Sequence, residues 1–474
     1  MKKITIDARQ CGAGKTTDPH NGIYARINYN IQFRQPTLLV VGSLNLQQQY
    51  YKKYKNQLEL IYSANDSTST VTRCLNSMSN NKLLICITHQ CFKLLPYSEL
   101  RENYDLIIDE TLSNIYDEIT VQIKDNDRVE YKWDKHFEIG TRDKEFMDIE
   151  LQKSTICNNK FYKLTSLGGS DDSIANSKLY RQITDPNFDY YITPFNYNIM
   201  MGNQINNKMF HVHCLLNDRL FQKWASIHIA AAAFDKTALY HLFNYYEMPM
   251  EFITKFEPHK GNIKLHTCSN SKFKWSNTKR LNNTDILDQF YRYIESVTSN
   301  NVLSLKNNNE KNKLENSIDL THNVHGINAK EYHDCTDIAM ASALLPSKSM
   351  ASFLKQTLLS HIGDKKEKVL ETRNQQNIAL THFYATYLFY QAIMRCKLRQ
   401  RDYNNELINI FVLDNSTGVA IADYFDLGDD GSSNILFDLD LSNTNIDKKT
   451  PLSKSEQNKR AYLKRKQSKI NGNK

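Results

Sequence analysis

Residues 7–17 read DARQCGAGKTT, a turn of small residues that runs into a lysine and two threonines. Gly12, Ala13 and Gly14 leave room for successive backbone N–H groups to close around an oxyanion. A helix beginning at Lys15–Thr17 would add the positive end of its dipole. In that arrangement Lys15 neutralises the β- and γ-phosphates of a nucleotide and the Thr16 hydroxyl holds Mg²⁺, with Thr17 next in line. The longer GxxxxGK[ST] pattern asks for glycine where Arg9 stands, so the match is to the shorter GxGKT form. A second chemical signal is YDLIIDET over 104–111. Four strand residues deliver two adjacent carboxylates to a strand's C-terminal end, the edge where α/β sheets build their sites. Asp109 would hold the Mg²⁺ through water, and Glu110 would polarise the attacking water. The spacing of 94 residues from Lys15 suits one nucleotide-binding unit. The plain alternative is a buried strand capped by two solvated acids.

The elements that must position these residues are legible as a rhythm. KKITIDA (2–8), PTLLVVGS (36–43), QLELIYS (57–63), KLLICITH (82–89) and YDLIIDE (104–110) are short Ile/Leu/Val-rich runs separated by polar, helix-compatible stretches. That alternation predicts βαβ units and a parallel sheet whose strands are buried on both faces. The pattern blurs over about 115–200, an expected insertion. It resumes with MFHVHCLL (209–216) and with a strand running into a helix at 226–243. A second series follows: NIKLHTC, NVLSLKN (301–307), DIAMASALLP (337–346), a long helical run over roughly 366–400, and INIFVLD (408–414). The expected fold is therefore α/β with two parallel-sheet units. The first spans 1–255 with the insertion, the second 256–440, and a basic tail covers 441–474.

At this point the chain resembles the superfamily 2 helicases, over residues 4–415 and in islands. CGAGKT and LIIDET carry the resemblance, and further segments follow in family order. VVGSLNLQQQ (40–49) and CITHQCF (86–92) stand where the family touches a sugar-phosphate backbone, which implies Ser43, Thr88 and His89 as nucleic-acid contacts. IHIAAAAFDKT (227–237) falls where the family has a Ser-Ala-Thr coupling motif, but Ala230–Ala233 replace the hydroxyls. THNVHGIN (321–328) is similar to a turn that faces both nucleotide and nucleic acid, implicating His325, Gly326 and Asn328. YQAIMRCKLRQRD (390–402) resembles the last family motif. There Gln391, Arg395 and Arg399, at i, i+4 and i+8, would share a helix face and close on the γ-phosphate. Arg399 comes one residue later than the family's second arginine, where Leu398 stands. The acidic motif is DETL, neither DEAD nor DEAH. The loop also begins too close to the start of the chain for an upstream adenine-reading glutamine motif.

The resemblance implies two RecA-like domains, ATP and Mg²⁺ as cofactors, and a nucleic-acid track, DNA rather than RNA. Replication or repair proteins are possible partners. A double-stranded DNA translocase or packaging-type ATPase that does not unwind remains open. So does a non-hydrolysing nucleic-acid-binding protein, against which the intact Lys15, Thr16, Asp109 and Glu110 argue. Two other constellations have plain readings: HVHC (211–214) puts His211 and His213 on one strand face and Cys214 on the other, and YHDC (332–335) is a lone Cys and His.

The net charge of +8 on 474 residues is unevenly spread. Residues 448–474 hold ten Lys/Arg and one Glu, which leaves the remaining 447 residues at −1. A tail of that kind suits phosphate-backbone contact, and its SKSEQNKRAYLKRKQ segment reads as a short basic helix. No stretch approaches the roughly 18 uncharged apolar residues of a membrane span. Nine scattered cysteines without a CxxC pair predict reduced thiols. The expected location is a cytoplasm, bacterial or that of a viral host.

Overall fold

The computed structural model describes residues 3–60, 68–112, 115–122, 137–139, 161–166, 185–201, 209–307, 314–320, 330–359, 373–400, 403–427 and 433–441. The apolar runs form strands. β1 (Ile4–Asp7), β2 (Thr37–Val41), β3 (Leu58–Leu60), β4 (Leu84–Thr88) and β5 (Asp105–Asp109) open the first unit. After β5 the chain builds β6 (Tyr116–Gln122), β7 (Phe137–Ile139), β8 (Tyr162–Ser166), β9 (Phe188–Ile192) and β10 (Met209–Leu216). It then returns with β11 (Ser226–Ala230) and β12 (Met250–Thr254). The seven strands other than β6–β10 make one sheet in the order β12-β1-β11-β5-β2-β4-β3, every neighbouring pair parallel. Their side chains are buried on both faces, with Ile4 and Ile6 in one core and Leu39, Val41 and Ile107 in the other. Such strands read as unbroken apolar runs because helices cover both sides.

β13 (Ile263–Cys268), β14 (Val302–Leu305), β15 (Ser317–Leu320), β16 (Asp337–Met340), β17 (Ile408–Val412) and β18 (Asn434–Phe437) form a second parallel sheet, ordered β15-β14-β16-β17-β13-β18. The chain is thus α/β with two large parallel sheets, as the alternation of apolar runs predicts. The β6–β10 strands form a separate antiparallel sheet, β6-β10-β9-β8-β7. It takes strands from the stretch read as an insertion and from MFHVHCLL. In it His213 stacks on Phe353 of the helix Lys348–Thr357 at 4.9 Å and bonds Ser349 Oγ at 3.0 Å. His211 Nδ1 meets Thr120 Oγ1 at 3.0 Å. HVHC is a packing seam between this sheet and a helix from the second half of the chain. Among the described residues no His/Cys/Asp/Glu group is arranged to hold a metal, and none of the described cysteines forms a disulfide. No described helix is long and apolar enough to cross a membrane.

One buried cation anchors the first unit. Arg101, 1% exposed, donates to the carbonyls of Arg219 and Leu220 through Nη1, and to those of Leu95 and Pro96 through Nη2, at 2.8–3.3 Å. Its guanidinium also lies over Trp224, 5.2 Å from the ring centre. Burial pushes its pKa down to about 10, so it stays charged at neutral pH. Arg101→Leu strands four carbonyls and should cost about 3–5 kcal/mol. A thermal or urea unfolding curve checks this, and an unchanged midpoint would show that the carbonyls find other partners.

Candidate nucleotide-hydrolysing site

Strand register alone brings the chemistry to one edge. Asp7 of β1 lies beside Ala230 of β11, Ala230 beside Asp109 of β5, Asp109 beside Val41 of β2, and Val41 beside Thr88 of β4. Each is the last residue of its strand, so the loops that follow leave side by side.

After β1 the chain turns through Gly12 (φ 84°) and Gly14 (φ 81°), a region of φ that favours glycine. Lys15 is buried, and its Nζ donates to the carbonyls of Arg9 at 3.0 Å and Gln10 at 3.2 Å, which hold the ammonium over the loop. Arg9 has its own task where the longer motif has glycine. Its guanidinium pairs with Asp7 at 2.6 Å and with Asp18 at 2.5 Å, bracing both ends of the loop. Burial opposes the Asp7 charge. Hydrogen bonds from Arg9 and Thr254 outweigh it and hold the carboxyl below its ordinary range.

The helix does not start at Lys15–Thr17 as expected. A first turn forms, with Asp18 N–H bonded to Gly14 O, and then residues 18–22 loop out. The helix resumes at Ile23, whose N–H bonds to Lys15 O at 2.9 Å, while Tyr24 N–H bonds to Thr16 O at 3.0 Å. Asp18 stops the first turn because its Oδ1 captures the N–H groups of His20 and Asn21. Gly22 closes the excursion; a Cβ there would stand 2.6 Å from Asp18 O.

The acidic pair is divided by environment. Asp109 is buried, and its Oδ2 accepts from Tyr50 Oη at 2.7 Å. Burial, and then the neighbouring Glu110 charge, lift its pKa well above the usual carboxylate range, against the pull of Tyr50 and Lys15. Asp109 and Thr16 carry hard oxygen atoms, the kind of donor that Mg²⁺ takes. Glu110 sits at φ 75°, a left-handed backbone that costs a non-glycine residue about 1–2 kcal/mol. The bond from its N–H to Ala230 O, at 3.0 Å, holds it there. That strain turns its side chain towards the second unit, where Glu110 Oε2 accepts from Tyr387 Oη and from Gln391 Nε2, both at 3.2 Å.

The alanines of 230–233 work through their backbone. Ala231 N–H bonds to Asp7 O and Ala233 N–H to Ala8 O, tying β11 to the root of the loop. Thr237 caps the helix Ala238–Tyr245, accepting from Tyr240 N–H and donating to Phe234 O.

Gln391 lies in the last turn of a helical run over Arg373–Ile393 that contains a π-helical segment at His382–Thr386. The run stops short of the expected 400, and residues 366–372 lie outside the described ones. The early stop also means that Gln391, Arg395 and Arg399 do not share a helix face. The helix stops at Ile393, and beyond it the N–H of Lys397 is taken by Cys335 O at 3.0 Å. Arg395 follows in a turn and Arg399 lies on a 3-10 segment, Lys397–Arg399. Arg399 nevertheless reaches the loop: a Cβ on Gly12 would meet its Cγ at 3.2 Å. Arg395 is half-buried, and burial and then the Arg399 charge push its pKa down. Three contributors gave no signal in the sequence. Tyr390 Oη accepts from Cys11 N–H at 2.8 Å and meets His259 Nε2 at 2.9 Å, and Tyr387 and Tyr50 hold the two acids.

Ser43 and Thr88 are engaged as helix caps, accepting from the N–H groups of Leu46 and Cys91, and His89 is buried. His325, Gly326, Asn328 and the tail 448–474 lie outside the described residues. No protein-family model matches this sequence. No curated protein matches it either. Among solved structures, XPD in its apo form is similar at a TM-score of 0.44 and 13% identity, over 89% of this chain and 95% of that one.

Proposed function

We propose that this chain is an ATP-hydrolysing nucleic-acid motor of the helicase type. One observation carries the reading: Glu110 of the first unit is held by Tyr387 and Gln391 of the second, at the same loop that Arg399 covers. A hydrolytic centre completed from both sides of a cleft changes whenever the cleft opens, and that is how hydrolysis drives relative motion.

In this reading Lys15 and the Gly12–Thr16 backbone hold the β- and γ-phosphates. Thr16 and Asp109 would hold Mg²⁺, which offsets phosphate charge when bound. Glu110, oriented by two neutral donors, draws the proton from the attacking water. Arg395, with Arg399 beside it, meets the charge that develops on the γ-phosphate. Nucleic acid, DNA in preference to RNA, would run past Ser43, Thr88, His89 and the 325–328 turn, with the 448–474 tail as an auxiliary phosphate contact. Replication or repair proteins in a cytoplasm are its natural setting.

The test is ATP hydrolysis against a panel of single- and double-stranded DNA and RNA. Stimulation by nucleic acid, and a fall of about 10²-fold or more in Lys15→Ala, is the expected result. Absence of hydrolysis by the wild-type chain with every nucleic acid would sink the reading. Strand displacement on a tailed duplex then separates a helicase from a translocase.

A further inference from the structure

Beneath the 18–22 excursion, between the helix Ile23–Gln32 and strands β5 and β11, lies a cleft of about 460 Å³. Its wall carries His228 from the middle of β11, 2% exposed, with neither ring nitrogen hydrogen-bonded. Arg26 Nε, from the helix, is also buried without a partner. Such atoms are costly when nothing completes them. The other polar groups nearby are satisfied among themselves, since Ser226 Oγ and Asn30 Nδ2 both donate to Asp105. The demand is specific: an acceptor for Arg26, and an edge that both donates to and accepts from an imidazole. Burial, and then Arg26, push His228 down to about 3, so the imidazole is neutral and offers one donor and one acceptor. A bare anion, which can only accept, leaves the acceptor nitrogen unmet. A heteroaromatic ring with alternating donors and acceptors meets both nitrogens.

The rim suits the same shape. Tyr29, 61% exposed, lies on the cleft with the Phe33 ring tilted against it at 4.4 Å, and Pro19 and His20 also line the cleft. Those two belong to the loop that Asp18 and Arg9 brace against the phosphate-binding turn. Ile23 N–H bonds to Lys15 O, and Arg26 follows three residues on, about 4.5 Å further along the helix axis. The cleft and the phosphate loop are neighbours along one helix.

We propose that this cleft receives the nucleobase of the nucleotide whose phosphates the Gly12–Thr16 loop holds, with His228 and Arg26 reading its edge and Tyr29 covering its face. The inference rests on the reading of that loop as a nucleotide site. Calorimetry with the full chain and Mg²⁺ tests it, comparing ATP with inorganic tripolyphosphate on wild type, Lys15→Ala, His228→Leu and Tyr29→Ala. Wild type should bind ATP at least about tenfold more tightly than tripolyphosphate, because only ATP carries a ring for the cleft to hold. His228→Leu and Tyr29→Ala should each bring ATP down to the tripolyphosphate level without changing the latter, and Lys15→Ala should weaken both ligands. Tyr29 is exposed, so its variant reads the site without disturbing the core. Equal affinities in wild type, or an unchanged ATP affinity in both cleft variants, overturns the nucleobase site and leaves the phosphate loop standing. Failure of wild type to bind either ligand removes the nucleotide reading and this inference together.

Discussion

Arg395→Ala should lower kcat by about 10³-fold or more, with nucleotide affinity changed far less. The wild-type structure explains the size. Arg395 is half-buried, and burial and then the Arg399 charge push its pKa down. Arg399 is exposed, but its charge still works against that of Arg395, and the repulsion is relieved when negative charge gathers beside them. The relief is greatest in the transition state, where the transferred phosphoryl is most dispersed, so the loss falls on kcat rather than on binding. Arg395→Lys should recover little, because a point charge cannot reproduce the planar fork. Single-turnover hydrolysis alongside nucleotide titration measures both quantities. A kcat within about threefold of wild type would remove Arg395 from the machinery.

Asp109→Asn should abolish hydrolysis and, without nucleotide or metal, raise the melting temperature. Asp109 is buried, and burial and the Glu110 charge raise its folded-state pKa above the ordinary value of about 3.9. A raised folded pKa means that its stability contribution is complete below the unfolded pKa and is lost as pH climbs through the folded one. Ionised at high pH, Asp109 works against the fold. Asparagine is nearly isosteric, keeps an oxygen for the Tyr50 hydroxyl and carries no charge. The variant's advantage should therefore be largest near pH 8, on the order of 1–3 kcal/mol, and fade towards pH 4. Melting curves across that range check it; a variant that melts lower than wild type at pH 8 would show that burial does not govern this carboxylate. The expected trade between stability and activity marks a residue kept for chemistry.

The two acids illustrate how far local sequence reaches. LIIDET places both at a strand end, because alternation and strand length are properties of the segment itself. Which acid is buried depends on Tyr50, 59 positions away, and on the left-handed backbone of Glu110, which the Ala230 carbonyl holds. Neither partner is announced by local pattern. Arg395 and Arg399 show the same limit from the other side. Their spacing fits a helix face, yet the helix ends at Ile393, before either arginine. Arg399 reaches the loop by a route that spacing does not encode.

Sequence by itself determined the α/β class, the glycine turn after the first strand and the strand-end placing of Asp109 and Glu110, because apolar periodicity and glycine positions act over a few residues. The tertiary structure alone decided that Arg9 braces the turn, that residues 18–22 leave the helix, and that Tyr387, Tyr390 and Gln391 close on Glu110 and Cys11. Those outcomes depend on hydrogen bonds and ion pairs whose partners meet only when two sheets are assembled. The same holds for His228, an unremarked strand residue whose isolation appears only once β11 lies beneath the helix.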